Sequence, residues 1–277
     1  MLRRGHRPGR PMRHVADFRE MTCRACLSGE GLGFQISMAF QPIVSLSRDR
    51  VVAQEALVRG TDGAGAASVL ARVDDTNRYH FDQACRVNAV KWASDLGVGA
   101  DCDLHINFMP NAIYRPEVCI RTTLAAARAY DFPRDRLVFE VTEDEPIRDH
   151  DHLADIFREY RRLGFKTAID DFGAGYAGLN LLADFQPDIV KIDMHLIRGV
   201  DADKKRRAIV RGIVTVCEEL GITVIAEGIE TVDELAAVRD LGVDLVQGYL
   251  IAKPRFEGLA EPAIGASGAL PRVARAS

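Results

Sequence analysis

The sequence predicts an α/β fold, a TIM-like (β/α)8 barrel with its first strand antiparallel to the rest. Three observations predict it. Eight short apolar runs recur along the chain, and helix-period segments separate most of them. The first two runs are parted only by Ser45 to Arg50. That is too short for the crossover helix that parallel neighbours need, so this pair reads as an antiparallel hairpin. Finally, each run leads into a polar residue, in the order Gln41, Glu55, Asn107, Glu140, Asp170 with Asp171, Lys191 with Asp193, Glu227 and Gln247. Parallel barrel strands gather their C-terminal ends at one mouth, so this series points to a shared site.

The elements follow in order. MAFQPIV (38–44) and VVAQEALV (51–58) form the hairpin. A helical pattern over Phe81 to Leu96 leads to the strand LHINF (104–108), and Pro116 to Tyr130 leads to LVFEV (137–141). Asp149 to Leu163 precedes TAIDD (167–171), and Ala177 to Ala183 precedes IVKID (189–193). Lys204 to Leu220 precedes TVIAEG (223–228), and Thr231 to Leu241 precedes LVQGYL (245–250). Gly97, Gly164, Gly221 and Gly242 stand where left-handed helix caps belong. The barrel is expected over 37–256. Residues 1–36 read as an Arg-, Gly- and Cys-rich flexible extension, and 257–277 as a flexible tail.

Composition narrows the function. With 277 residues and 47% hydrophobic content, the chain can bury a sizeable core. A formal net charge of −4 offers no general field for a nucleic acid polymer, so a phosphate ligand would need local cations or metal. No apolar run is long enough to cross a bilayer, and the basic start from Met1 to His14 lacks the apolar stretch of a secretory signal. The expected location is the cytoplasm, without membrane contact. Six cysteines do not suggest a disulfide framework at this size. Cys23 and Cys26 form a CxxC with no second pair at zinc spacing, so they read as structural or incidental thiols ahead of a redox or metal role.

Taken singly, a carboxylate at a strand end most simply caps the next helix. At least five gathered at one mouth are different. A buried carboxylate costs several kcal/mol unless it is paired or ligates a cation, and divalent metal is the simplest neutraliser. Hard oxygen ligands select Mg²⁺ or Mn²⁺. His105, His80 and His195 read as structural, because no carboxylate–His spacing supports a metal role.

The motifs QPIV (41–44), EALVR (55–59), INFMPN (106–111), FEVTE (139–143), IDDFGAGYAGL (169–179), VKID (190–193), IAEGIET (225–231) and QGYL (247–250) together resemble the EAL family of cyclic-di-GMP phosphodiesterases. The resemblance runs from about Ala39 to Pro254. It implies hydrolysis of cyclic-di-GMP to linear 5′-pGpG by a two-metal mechanism with Mg²⁺ or Mn²⁺, and inhibition by Ca²⁺. It also implies site roles. Glu55, Asn107, Glu140 and Asp170 would hold one ion, and Asp170 and Asp171 the second, with Glu227 reaching it directly or through water. Glu227 would be the general base, and Lys191 would stand beside the attacking water. Arg59 would contact a substrate phosphate, Leu57 would pack on the substrate, and Gln41 and Gln247 would face it. Glu143, Asp193, Gly173 and Gly175 would couple the loop after the paired aspartates to a homodimer interface.

Some features depart or compete. Gly60 replaces the tryptophan common after the EALVR arginine. INFMPN, with NRYHFDQACR (77–86), is similar to the subgroup linked to blue-light BLUF sensors, yet fewer than 40 residues precede the barrel, so regulation is expected from the short N-terminal segment, from a sensor or regulator in trans, or from expression. That subgroup includes members that bind partners without hydrolysis, which keeps open a non-catalytic module binding cyclic-di-GMP or a protein. Gly173, Gly175 and Gly178 also spell GxGxxG, with Asp193 twenty residues after Gly173. A nucleotide-cofactor oxidoreductase is the weakest reading, because Asp170 and Asp171 directly precede the loop and would repel a pyrophosphate.

Overall fold

A computed structural model describes residues 32–99, 101–113, 115–142, 150–175 and 178–263. The wall of the barrel is β1 (Ile36–Ser45), β2 (Arg50–Gly60), β3 (Asp103–Asn107), β4 (Leu137–Thr142), β5 (Lys166–Phe172), β6 (Ile189–Ile192), β7 (Thr223–Ala226) and β8 (Leu245–Val246). Strands β2 to β8 pair in sequence order and in parallel. Strand β1 closes the ring by pairing antiparallel with both β2 and β8, so the one reversed strand is the first. A two-residue strand, β9 (Arg255–Phe256), adds to β1 opposite Ala39 and Phe40.

The helices are α1 (Ala66–Leu70), α2 (Arg78–Asp95), α3 (Pro116–Ala129), α4 (His150–Arg162), α5 (Gly178–Asp184), α6 (Met194–Ile197), α7 (Lys204–Leu220) and α8 (Val232–Asp240). Their limits follow local chemistry. Pro116 opens α3, where a missing N–H costs nothing. Asp203 caps α7 by accepting from the Lys205 and Arg206 amides, and Gly221 ends it at φ +70°. Thr231 and Glu234 form a capping box on α8. All four anticipated glycine caps have positive φ.

Side chains alternate across each strand with period two. Outward residues such as Phe139, Val141, Val190 and Ile192 pack beneath the helices in one continuous core. Inward residues Ile43, Ala53, Val138, Ala168, Ile189 and Ile225 plug the barrel floor. Each large apolar side chain buried in this way contributes roughly 1.5–3 kcal/mol. Leu32 and Ile36 pack with Val69, Phe81 and Cys85 against the outside of the barrel. Among the described residues, no helix is long and apolar enough to cross a membrane.

The expected strands at 223–228 and 245–250 are shorter than their apolar patterns. Strand β7 stops at Ala226 and β8 at Val246. Beyond them the two segments bond irregularly: Ile229 N–H donates to the Gln247 carbonyl and Leu250 N–H to the Ile229 carbonyl. Gly248 allows this crossing, since a Cβ there would lie 2.2 Å from the Ile229 carbonyl oxygen. Elements α1, α6 and β9 are too short for a periodic signal.

Candidate active site

The inward, C-terminal positions of the strands converge on Lys191. This side chain is fully buried on β6, and its ammonium touches four carboxylates. Its Nζ lies 2.8 Å from Glu227, 3.0 Å from Asp170, 3.2 Å from Glu140 and 3.3 Å from Glu55. Burial favours the neutral amine, but Asp170, Glu140, Glu227 and Glu55 outweigh it and hold the ammonium well above the ordinary lysine range. Burial, with Asp170 and Glu55 nearby, pushes the Glu140 carboxyl well up despite Lys191. Glu227, partly open to the mouth, is raised in the same direction by burial and by Asp170.

The adjacent aspartates reach one site because β5 breaks its alternation. Pairing with β6 shifts register between Ile169 and Phe172, and Asp171 takes a left-handed φ of +53°. The Asp171 N–H then donates to Asp170 Oδ1 at 3.0 Å. Desolvation, Asp170 and Asp193 raise the Asp171 carboxyl to about 6. Two overlapping sets of oxygens result, Glu55–Glu140–Asp170 and Asp170–Asp171–Glu227, each gathered within 4.8 Å. Asp170 belongs to both.

The remaining walls orient these carboxylates. Asn107 Nδ2 donates to Glu55 Oε1 at 3.2 Å, and Gln247 Nε2 donates to Glu55 Oε2 at 2.7 Å and to Gln41 Oε1 at 3.1 Å. Gln41 in turn donates to the Ala252 carbonyl. His105, two residues before Asn107 and on the same inward face, pairs its Nδ1 with Glu140 Oε1 at 2.5 Å. Burial and Lys191 depress the imidazole to about 3, so it is neutral, and one proton is shared between its Nδ1 and the Glu140 carboxyl. Sequence reading took His105 as structural without seeing this partner. The signal was its two-residue spacing from Asn107.

The donor set suits hard divalent cations. One ammonium faces four carboxylates, with Asp171 a fifth beside them, so acidic groups outnumber cations at this centre. Every side chain in both sets offers oxygen, as Mg²⁺ and Mn²⁺ prefer.

The outer positions divide. Leu57, Asp171, Asp193, Glu227 and Gln247 line a groove at the mouth together with Tyr249, which sequence reading passed over. Tyr249 is 56% exposed, unusual for an aromatic ring, and Lys253 lies 5.3 Å from its centroid. Arg59 extends from the end of β2 but bonds the Val58 carbonyl instead of a carboxylate at the centre. Asp193 does not touch Lys191 by any hydrogen bond or ion pair found among the described residues. It caps α6, accepting from the His195 amide and ring. Gly173 has φ +96° and closely faces Leu196. Glu143, Cys23 and Cys26 lie outside the described residues.

The EAL domain family model matches residues 30–254, and the chain belongs to that family. It is 51% identical, with a TM-score of 0.81, to a standalone versatile EAL protein from Vibrio cholerae solved with c-di-GMP bound, over 83% of this chain and 97% of that one. It is 36% identical, TM-score 0.78, to BlrP1 of Klebsiella pneumoniae in a manganese/cy-diGMP complex, over 83% of this chain and 58% of that one. Among relatives, it is 33% identical to the blue light- and temperature-regulated antirepressor BluF of Escherichia coli, over 80% of this chain and 55% of that protein. It is 30% identical to the cyclic di-GMP phosphodiesterase NbdA of Pseudomonas aeruginosa, over 79% of this chain and 29% of that protein. The chain thus spans about half or less of these two relatives.

Proposed function

We propose that this chain is a cyclic-di-GMP phosphodiesterase that opens its substrate to linear 5′-pGpG with two divalent ions, Mg²⁺ or Mn²⁺. The observation that carries the reading is the pair of carboxylate sets sharing Asp170. Glu55, Asn107, Glu140 and Asp170 would hold one ion, and Asp170 and Asp171 the other, with Glu227 at its edge. When bound, such ions supply an activated water and neutralise charge at the phosphorus. In the step itself, the water oxygen bonds to phosphorus, the bond from phosphorus to the ribose 3′-oxygen breaks, the water's proton passes to Glu227, and the released 3′-oxygen takes a proton from solvent water to become the 3′-hydroxyl of pGpG. Burial and Asp170 raise the Glu227 carboxyl, which makes it a stronger base than an ordinary carboxylate. Lys191 orients the water through its fixed ammonium, while Arg59, Leu57, Gln41 and Gln247 position the dinucleotide.

The test is incubation with cyclic-di-GMP and Mn²⁺ or Mg²⁺, followed by chromatography. The expected product is pGpG, lost with EDTA and with Ca²⁺ in place of Mg²⁺, because Ca²⁺ is larger and looser in geometry. Undiminished hydrolysis in excess chelator would overturn the two-metal reading. The similarity to BluF, an antirepressor by name, favours a second reading as a non-catalytic module acting on a protein partner. Binding of cyclic-di-GMP with no product at any metal concentration would select it.

A further inference from the structure

The segment NRYHFDQACR contributes no side chain to the carboxylate centre, yet it supplies a buried charged pair directly behind it. Asp82 and Arg86 lie one turn apart on α2, and both side chains are essentially inaccessible. Arg86 Nε lies 2.9 Å from Asp82 Oδ2, and its Nη1 donates to the Tyr160 hydroxyl on α4 at 2.7 Å. The guanidinium sits 5.4 Å from the Phe108 ring centre and 5.1 Å from that of Phe139. Those two rings flank the site: Phe108 follows Asn107, and Phe139 precedes Glu140. Asp82 Oδ1 also accepts from the Met109 amide at 2.9 Å, while the Phe108 amide donates to the Glu140 carbonyl at 3.0 Å. The chain leaving Asn107 is therefore pinned at two successive amides, one by β4 and one by Asp82.

A buried ion pair is weak evidence for stability, because apolar residues of similar volume often replace it without loss. This pair instead accepts from one specific amide. We propose that Asp82 and Arg86 are positioning residues. Arg86 fixes the Asp82 carboxylate, and Asp82 fixes the 107–109 backbone so that Asn107 keeps its place between Glu55 and the ion it would hold. The inference rests on the two-metal reading above.

The test compares two double variants of the full chain by calorimetric titration with Mn²⁺, alongside thermal melts and kcat and KM for cyclic-di-GMP. Asp82→Leu/Arg86→Met removes both charges and the acceptor for Met109. Asp82→Asn/Arg86→Gln removes the charges but keeps that acceptor. The expected result is a wild-type-like melt for the Leu/Met variant with Mn²⁺ affinity reduced about ten-fold, in the range typical of residues that orient metal ligands. Its kcat at limiting Mn²⁺ should fall and recover as Mn²⁺ is raised, with KM little changed. The Asn/Gln variant should bind Mn²⁺ within about three-fold of wild type, since the amide keeps its partner. Equal Mn²⁺ affinity in all three proteins would overturn the inference, as would equal losses in both variants. If both variants failed to fold, the pair would be structural and the inference would again fall. A wild type that binds Mn²⁺ but does not hydrolyse cyclic-di-GMP would sink the proposed activity while leaving the positioning result intact.

Discussion

At the scale of single residues, the centre is an electrostatic compromise. Lys191 contacts four carboxylates at once, and only buried, convergent strands bring so many together. The identities of these residues were legible in the sequence because each closes an apolar run. Their hydrogen bonds were not, since the partners come from other strands. His105 on Glu140 and Gln247 on Glu55 span 35 and 192 residues. Glu227 is the residue whose exchange separates binding from chemistry. Glu227→Gln keeps its shape but removes the proton acceptor, so turnover should fall by roughly two orders of magnitude or more. Binding of cyclic-di-GMP, followed by calorimetry, should persist. Near-normal turnover in that variant would mean that another group takes the proton.

At the scale of elements, local chemistry and tertiary contact divide the work. Helix ends were readable from Asp203, Thr231 and the terminal glycines, because a cap depends on a few neighbouring residues. The bulge at Asp170–Asp171 was not readable. A regular strand would turn the second carboxylate to the helix side, and only the shifted pairing with β6 brings it to the mouth. The early end of β8 belongs to the same class, set by the backbone of the segment after β7. Gly248→Ala tests that contact. A Cβ would come within 2.3 Å of the Ile229 nitrogen, and backbone cannot move aside cheaply. The variant should lose about 2 kcal/mol or more of stability, in the range of overpacked sites. Chemical denaturation measures it, and an unchanged midpoint would show that the two segments can separate without cost.

For the whole molecule, the proposed assembly is a homodimer whose interface orders the loop after Asp171, with Glu143 steadying that loop. The motivation is the family resemblance of FEVTE and of the glycine-containing stretch that follows the paired aspartates. Glu143→Ala should lower activity at limiting Mg²⁺ and recover in part when Mg²⁺ is raised, because mass action favours the assembled site. Light scattering and metal titrations check both halves of the idea. A fully active monomer, or a variant with wild-type kinetics at limiting Mg²⁺, would refute the coupling. The barrel itself was legible at this scale: alternating runs, one short hairpin connection and capped helices specify eight strands with a single reversal. Sequence by itself thus determined the fold class and the cast of the centre, because period, turn length and residue type are properties of neighbours along the chain. Tertiary structure alone decided which carboxylates share Lys191, how Asp171 joins Asp170, and how Asp82 and Arg86 brace the wall behind Asn107. Those outcomes depend on register and packing between segments far apart in the chain, which no local pattern encodes.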